Sequence, residues 1–407
     1  MNAPAPNTLA IIGAGPVGLE AAAAALELEL DVHLFERGDV GANVLGWGHV
    51  RMFTPWSMNV GPASARLLAR NGWTAPAAEQ CPSGLELAER VLAPLAAAPE
   101  LAGRIHPHAQ VVHVGRHGLL KGEKPGDPSR REHPFRLLVR DAGGRENFLH
   151  VASVLDTSGV YATPNWAGTG GIPARGEQYL APQMSYRCED VRGLKRERHA
   201  GRRTLVIGGG ASAATTVTAL AALAAEAPGT TVAWLTRSSA PALAGEVAND
   251  PLPARAALYA AANALRRGEN AAVTWIGGVE VEGFEFNSAT HRYRATLAGA
   301  AGASAEEADE VIVNTGFGPD NAIYRELQIH ECYASRGPMR LSASLLAQAG
   351  ADCLDVKGDE AGVLDHPEPG FFVLGAKSYA RYSTFLLRTG YAQVASVLPR
   401  LATVRAM

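Results

Sequence analysis

Two stretches of this chain have residue types and spacing suited to holding a diphosphate. The first is Gly13-Ala14-Gly15-Pro16-Val17-Gly18, preceded by an apolar run at 8–12 and followed by an alanine-rich run of high helix propensity at 19–28. A second apolar run, 32–35, ends in Glu36-Arg37. In a strand–turn–helix setting, Gly13 permits the turn, Gly15 lets a pyrophosphate approach the backbone, and Gly18 allows the helix to pack closely on the strand. The helix start offers unpaired N–H groups and a partial positive charge to the phosphates. Glu36 then accepts hydrogen bonds from ribose hydroxyls. The candidate binding residues here are Gly13, Gly15, Pro16, Gly18, Glu36 and Arg37.

The pattern returns in the second half of the chain. An apolar run at 204–207 leads into Gly208-Gly209-Gly210-Ala211-Ser212-Ala213, a helix-forming run at 214–225, and a strand-like run at 231–235. Gly208, Gly210, Ser212 and Ala213 are the candidate binding residues; alanine at the third small position is a variant that close helix–strand contact accepts. The second strand ends in Thr236-Arg237-Ser238-Ser239. An acid there would repel a 2′-phosphate, whereas Arg237 with two serines binds one, so NADPH is expected ahead of NADH.

The elements that must position these residues imply an α/β chain with two Rossmann-like three-layer nucleotide-binding domains, the second inserted into the first. The expected boundaries are 1–175, 198–318 and 319–407. Between the glycine turns, 111–119, 135–139 and 148–156 read as strands, the last two flanking the hairpin turn Asp141-Ala142-Gly143-Gly144. Residues 121–134, rich in proline, glycine and charge, read as a mobile loop, and 168–186 as a linker. A strand pair at 279–286 and 293–297 leads to 310–314. The chain then rejoins the first domain through a strand at 370–375 and a helix from about 384 to 398.

Composition sets limits on partners. The 407 residues are 47% hydrophobic and 19% charged, with a formal net charge of −3, as in a globular protein without the basic stripe that a nucleic acid needs. No run has membrane-spanning length free of charge. Glu20, Glu27 and Glu29 interrupt the apolar N-terminal segment, so a cytoplasmic protein is expected. The four cysteines, Cys81, Cys188, Cys332 and Cys353, show neither a CxxC pair nor metal-ligand spacing, so reduced thiols and no metal are expected. The partner expected is a small-molecule substrate, with a homodimer left open.

The chain resembles the two-dinucleotide-binding flavoproteins, the group that includes flavin-containing monooxygenases and thioredoxin-reductase-like enzymes. The resemblance covers nearly the whole chain. It rests on GAGPVG with Glu36, GGGASA with Arg237, the crossing segments DTSG and NTGFGPD, and the late segment FFVLGAKSYARYSTFLLRTGYAQV. It implies FAD at the first turn and a visiting nicotinamide dinucleotide at the second, with hydride passing to the flavin. It also places Gly375, Ala376 and Lys377 near the flavin. The group often has an aspartate after that glycine, where this chain has Ala376. The F-x-G-x-x-x-H signature of the monooxygenase branch is not matched either, since residues 172–187 lack the histidine.

Beyond the turns, the candidate catalytic residues are His49, Arg51, Lys377 and Cys353. His49 and Arg51 lie in the aromatic-rich loop 46–56, where aromatics suit a flavin face and Arg51 suits negative charge on reduced flavin or substrate. A packed interface loop explains the same residues. Lys377, with Tyr379 and Arg381, would line the pocket from the other side and favour the anionic reduced flavin. A surface lysine is the plain alternative. Cys353 is a candidate thiolate and His366 a weaker candidate acid or base. The expected function is a monooxygenase acting at N or S of a small molecule. The alternatives are an NAD(P)H-dependent reductase of a thiol, disulfide or other small acceptor, and a flavin-bound redox sensor.

Overall fold

The structure, a computed structural model, describes residues 7–240, 242–243, 246–300, 302–348, 352–358 and 362–403. It forms two compact units: 1–48, 55–163 and 317–407 make unit 1, and 49–54 with 164–316 make unit 2. Unit 2 therefore interrupts unit 1 along the chain.

Unit 1 begins with β1 (Thr8–Ile12), five buried residues, then α1 (Pro16–Glu27) and β2 (Asp31–Phe35). Proline at the first turn of α1 suits a position whose N–H has no helical partner. Glu20, which interrupts the apolar run in sequence, is buried because its carboxylate caps the next long helix, α2 (Pro62–Arg70): it accepts from Ala63 N at 2.9 Å and Ser64 N at 2.8 Å. Next come β3 (Ile105–His106), β4 (Gln110–Arg116), β5 (Phe135–Arg140), β6 (Glu146–Val151) and β7 (Ser153–Asp156).

Unit 2 contributes β8 (Arg203–Ile207), α3 (Ala211–Glu226), β9 (Thr231–Thr236), α4 (Pro253–Arg266) and β10 (Val273–Gly277). It continues with β11 (Val279–Asn287), β12 (Arg292–Gly299), β13 (Gly302–Ala308) and β14 (Glu310–Val313). The chain returns to unit 1 with α5 (Met339–Ala347), β15 (Phe371–Val373) and α6 (Leu387–Thr403).

In unit 1 a parallel sheet runs in the order β15-β7-β1-β2-β3. Ile12 pairs with both Phe35 and Asp156, and Val373 pairs with Asp156, so these strands end level with one another. The order reverses between β1 and β7. Ligands of open α/β sheets bind at such a switch point, beyond the carboxyl ends of the strands. The antiparallel meander β4-β5-β6 supplies Val114, Phe135 and Leu137 to a core shared with Ile12, Val154 and Phe371. Unit 2 repeats the plan with a parallel sheet β10-β9-β8-β14 and an antiparallel one, β11-β12-β13. Trp234, Val217 and Tyr259 build one core, while Leu235, Phe284 and Leu297 build another.

Two sequence expectations need correction. Residues 148–156 are not one strand: β6 and β7 belong to different sheets, and Ala152 between them donates to Thr8 Oγ1 at 3.0 Å as the chain changes layer. The segment 121–134 is not a mobile loop. Arg130 is fully buried and donates to Glu123 O at 2.6 Å and to Glu368 at 2.8 Å, while Arg116 holds the same Glu368 at 2.8 Å. A polar, glycine-rich segment looks unstructured in sequence because its anchor, Glu368, lies far along the chain. Among the described residues no helix is long and apolar enough to cross a membrane, and no group of three or more His, Cys, Asp or Glu side chains could hold a metal ion.

Candidate nucleotide and redox site

In unit 1 the three glycines of the first turn do different jobs. Gly13 has φ +99°, and a Cβ there would lie 2.8 Å from Ser158 Cα. A Cβ on Gly18 would collide with Gly13 O, so that position is closed by helix packing. Gly15, the N-cap of α1, faces open space: a Cβ there would meet nothing within 4 Å. Neither a capping side chain nor an acid occupies the first turn of α1. The helix start is thus built to accept an anion.

Glu36 is half-buried at the end of β2, with its carboxylate already engaged. Oε2 accepts from Ala14 N at 2.9 Å and Oε1 from Gly38 N at 3.0 Å. The acid therefore fixes the glycine turn, and its remaining lone pairs are what it can offer a ribose. Arg37 is exposed.

The opposite wall of the switch point comes from the end of β7. Thr157 Oγ1 donates to Ile12 O at 2.9 Å and Gly13 O at 3.0 Å. Beside it lies a buried ion pair that sequence inspection missed. Lys377, 2% exposed, places Nζ 2.6 Å from Asp156 Oδ2 and 3.1 Å from Ser158 Oγ. Ser158 Oγ donates in turn to Asp156 Oδ1 at 2.6 Å. The ammonium also lies 5.0 Å from the centre of the Tyr324 ring. Burial and the nearby Asp156 carboxylate push the Tyr324 hydroxyl up, so it stays protonated.

Lys377 is therefore neither a surface lysine nor a cation free to face a ligand, because its charge is answered by Asp156. The one available signal was an acid closing the apolar run Val154-Leu155-Asp156. The adjacent turn is locked as well. Gly375, with φ +70°, donates its N–H to Gln393 Oε1 of α6 at 2.8 Å, and Ala376 follows half-buried.

The other catalytic candidates have different surroundings. His49 and Arg51 are exposed and belong to unit 2. Their aromatic neighbours Trp47 and Trp56 pack within unit 1: Trp47 lies against Gly84, and Trp56 is buried with Arg90 5.6 Å from its ring centre. Cys353 is half-exposed, with Sγ 3.8 Å from Asp352 Oδ1. His366 has both ring nitrogens buried without a hydrogen-bond partner, and burial pushes its pKa down to about 4.

Unit 2 repeats the turn with different chemistry. A Cβ on Gly208 would collide with Asn314 O, whereas one on Gly210, the N-cap of α3, would meet nothing within 4 Å. Ala213 is fully buried and Ser212 exposed. At the end of β9, Arg237, Ser238 and Ser239 are all exposed. Thr236 Oγ1 shapes this strand end by donating to Ser238 O at 2.8 Å and accepting from Trp275 Nε1 at 2.8 Å.

Fold and turns together define two Rossmann-like units, the second interrupting the first along the chain. A family model described as pyridine nucleotide-disulphide oxidoreductase matches residues 8–42, which span the first turn and Glu36. No curated protein sequence matches the chain. Among solved structures, a bacillithiol disulfide reductase from Staphylococcus aureus is 14% identical with a TM-score of 0.67, covering 98% of both chains. An ornithine hydroxylase from Pseudomonas aeruginosa is 14% identical with a TM-score of 0.63, covering 98% of this chain and 99% of that one. A thioredoxin reductase from T. acidophilum is 13% identical with a TM-score of 0.62, covering 98% and 100%. By fold, the chain is similar over nearly its full length both to disulfide and thioredoxin reductases and to an ornithine hydroxylase.

Proposed function

We propose that this protein is an FAD-dependent oxidoreductase using NADPH in preference to NADH, with FAD in unit 1 and the nicotinamide dinucleotide in unit 2. The observation that supports this reading is the duplicated turn. In both units the first glycine and the third small position are packed against protein, and the middle glycine opens to space. FAD, when bound, supplies a two-electron acceptor for hydride and a donor to a second substrate.

The chain's own residues hold and orient. The start of α1 receives the pyrophosphate, and Glu36, fixed by Ala14 and Gly38, presents its free lone pairs to the ribose. Asp156, Ser158 and Lys377 hold the far wall rigid. Arg237 with Ser238 and Ser239 receives the 2′-phosphate of NADPH.

For the second substrate we favour a small molecule oxygenated at N or S, in line with the likeness to an ornithine hydroxylase over nearly the full chain. A second reading, reduction of a small disulfide, draws on the equally complete likeness to bacillithiol disulfide reductase.

Anaerobic titration of the FAD-loaded protein with each nicotinamide tests the common part, and NADPH is expected to bleach the flavin at lower concentration than NADH. A screen in air with amines and thioethers, against a screen without oxygen using disulfides, separates the two acceptors. A protein that stays colourless and takes up no added FAD would overturn the reading.

A further inference from the structure

Among the described residues four arginines are buried, and three of them face a carboxylate. Arg116 and Arg130 share Glu368, each at 2.8 Å, and Arg255 lies 2.6 Å from Asp250. Arg266, the last residue of α4, is 7% exposed and forms no ion pair among the described residues. Its guanidinium lies 4.2 Å from the centre of the Trp275 ring and 5.8 Å from that of Trp234, and its Nε has no hydrogen-bond partner. Burial pushes its pKa down, with no neighbouring acid to raise it again.

A buried charge without an ion pair is costly. The indole faces and the C-terminal end of α4 offset part of that cost, the helix end as about half a negative charge. A full negative charge is still missing.

Apart from the indoles, Arg266 touches the loop that ends β9. Its Nη2 donates to Ala240 O. Ala240 N donates to Ser238 Oγ at 3.1 Å, and Thr236 Oγ1 donates to Ser238 O at 2.8 Å. Trp275, on whose face the guanidinium rests, donates from Nε1 to the same Thr236 Oγ1 at 2.8 Å. Ser238 is thus fixed at its carbonyl and at its hydroxyl oxygen, and its hydroxyl hydrogen remains to be donated to a ligand. Asn263, one turn earlier on α4, accepts from Leu243 N at 3.1 Å, so the same helix end holds the chain beyond the loop as well. Arg237, Ser238 and Ser239 are exposed above this support.

We propose that Arg266 is a positioning residue that sets the preference for a 2′-phosphate in unit 2: it holds the loop 236–240 so that Arg237, Ser238 and Ser239 meet the phosphate, and the phosphate brings the negative charge that the buried guanidinium lacks. This inference rests on the reading of unit 2 as the NADPH site. Arg237 makes the contact, while Arg266 acts through the loop and through its field. A charge buried against two indoles is screened by salt less than the exposed Arg237. NADH carries no 2′-phosphate, so Arg266 separates the two dinucleotides instead of tightening both.

The test uses the full chain and titration calorimetry with two fragments, 2′,5′-ADP and 5′-AMP, so that no turnover enters the readout. Wild type is expected to bind 2′,5′-ADP more tightly than 5′-AMP. Arg266→Met, which fills similar space without charge, is expected to weaken 2′,5′-ADP by about tenfold while 5′-AMP changes by less than about twofold. Arg266→Lys keeps the charge and is expected to keep most of the preference. Arg266→Gln, polar but uncharged, is expected to behave as Arg266→Met and decides the matter if that variant does not fold. Equal losses for both fragments would make Arg266 a structural brace and overturn the proposal. So would an unchanged preference in the uncharged variants, or a lysine variant as poor as they are. If wild type shows no preference for 2′,5′-ADP, the NADPH reading itself fails and this inference falls with it; if wild type shows the preference and the uncharged variants keep it, only the role of Arg266 is lost.

Discussion

The two glycine turns share one backbone plan and differ in what surrounds them. In unit 1 the strand-end acid Glu36 is tied back onto its own turn, and the neighbouring strand end carries a buried ion pair, Lys377 with Asp156. In unit 2 the strand-end cation Arg237 is exposed, and the wall beside Gly208 is a neutral contact in which Thr216 Oγ1 donates to Asn314 Oδ1 at 2.8 Å. A site whose charges are internally compensated is preorganised before any ligand arrives; one with an exposed arginine gains its counter-charge only from the ligand. The contrast fits a retained cofactor in unit 1 and an exchanging one in unit 2.

Breaking the ion pair should show the contrast most strongly. Lys377→Met strands a buried carboxylate, and unfolding in urea should register a loss of about 3–5 kcal/mol. Adding Asp156→Asn should return a substantial part of it. If the single variant unfolds like wild type, the pair is not the lock described here. The equivalent change in unit 2, Asn314→Ala, should cost less, since no charge is left behind.

The approach to β15 should make unit 1 acid-sensitive. Burial holds His366 at about 4, below its ordinary 6.5, so the unfolded chain takes up the proton first as pH falls. Stability should be full above pH 6.5, decline by up to about 3 kcal/mol toward pH 4, and level off below. A His366→Gln variant with the same pH slope in chemical denaturation would refute the assignment.

Cofactor choice sharpens the comparison at a smaller energy. Arg237→Glu should weaken NADPH by about 1.5–3 kcal/mol, or roughly ten- to a hundredfold, with NADH little affected. FAD affinity should not change. Titration of both nicotinamides against flavin absorbance measures the two effects together.

The smallest stability effects should come from the open glycines. Gly15→Ala and Gly210→Ala meet no neighbour within 4 Å, so melting temperatures should hold while ligand affinity falls, for FAD in the first case and NADPH in the second. Gly18→Ala is the control, because its Cβ collides with Gly13 O and the fold itself should suffer, by about 1–3 kcal/mol. Loss of stability in Gly15→Ala would mean that this glycine, too, serves packing.

Much of the architecture was legible because its determinants are local. A buried strand, a glycine turn, a helix and a second strand follow one another without interruption in both units, so the apolar runs and small residues announce them. The strand break at Ala152 was not legible, since an apolar stretch carries no mark of which sheet each half joins. Nor was the anchoring of 121–134, whose polar composition conceals Arg130 turned inward onto a distant glutamate that Arg116 also holds.

By itself, then, the amino-acid order determined the two glycine turns with their strands and helices, the insertion of one unit in the other, and the charge at each strand end. Only the tertiary structure decided which charged groups are spent on the protein itself. Lys377 reads as an available cation until Asp156, 221 residues away along the chain, is found 2.6 Å from it. Local periodicity records backbone geometry, whereas the pairing of buried charges depends on which distant segments the hydrophobic cores bring together, and no nearest-neighbour pattern encodes that.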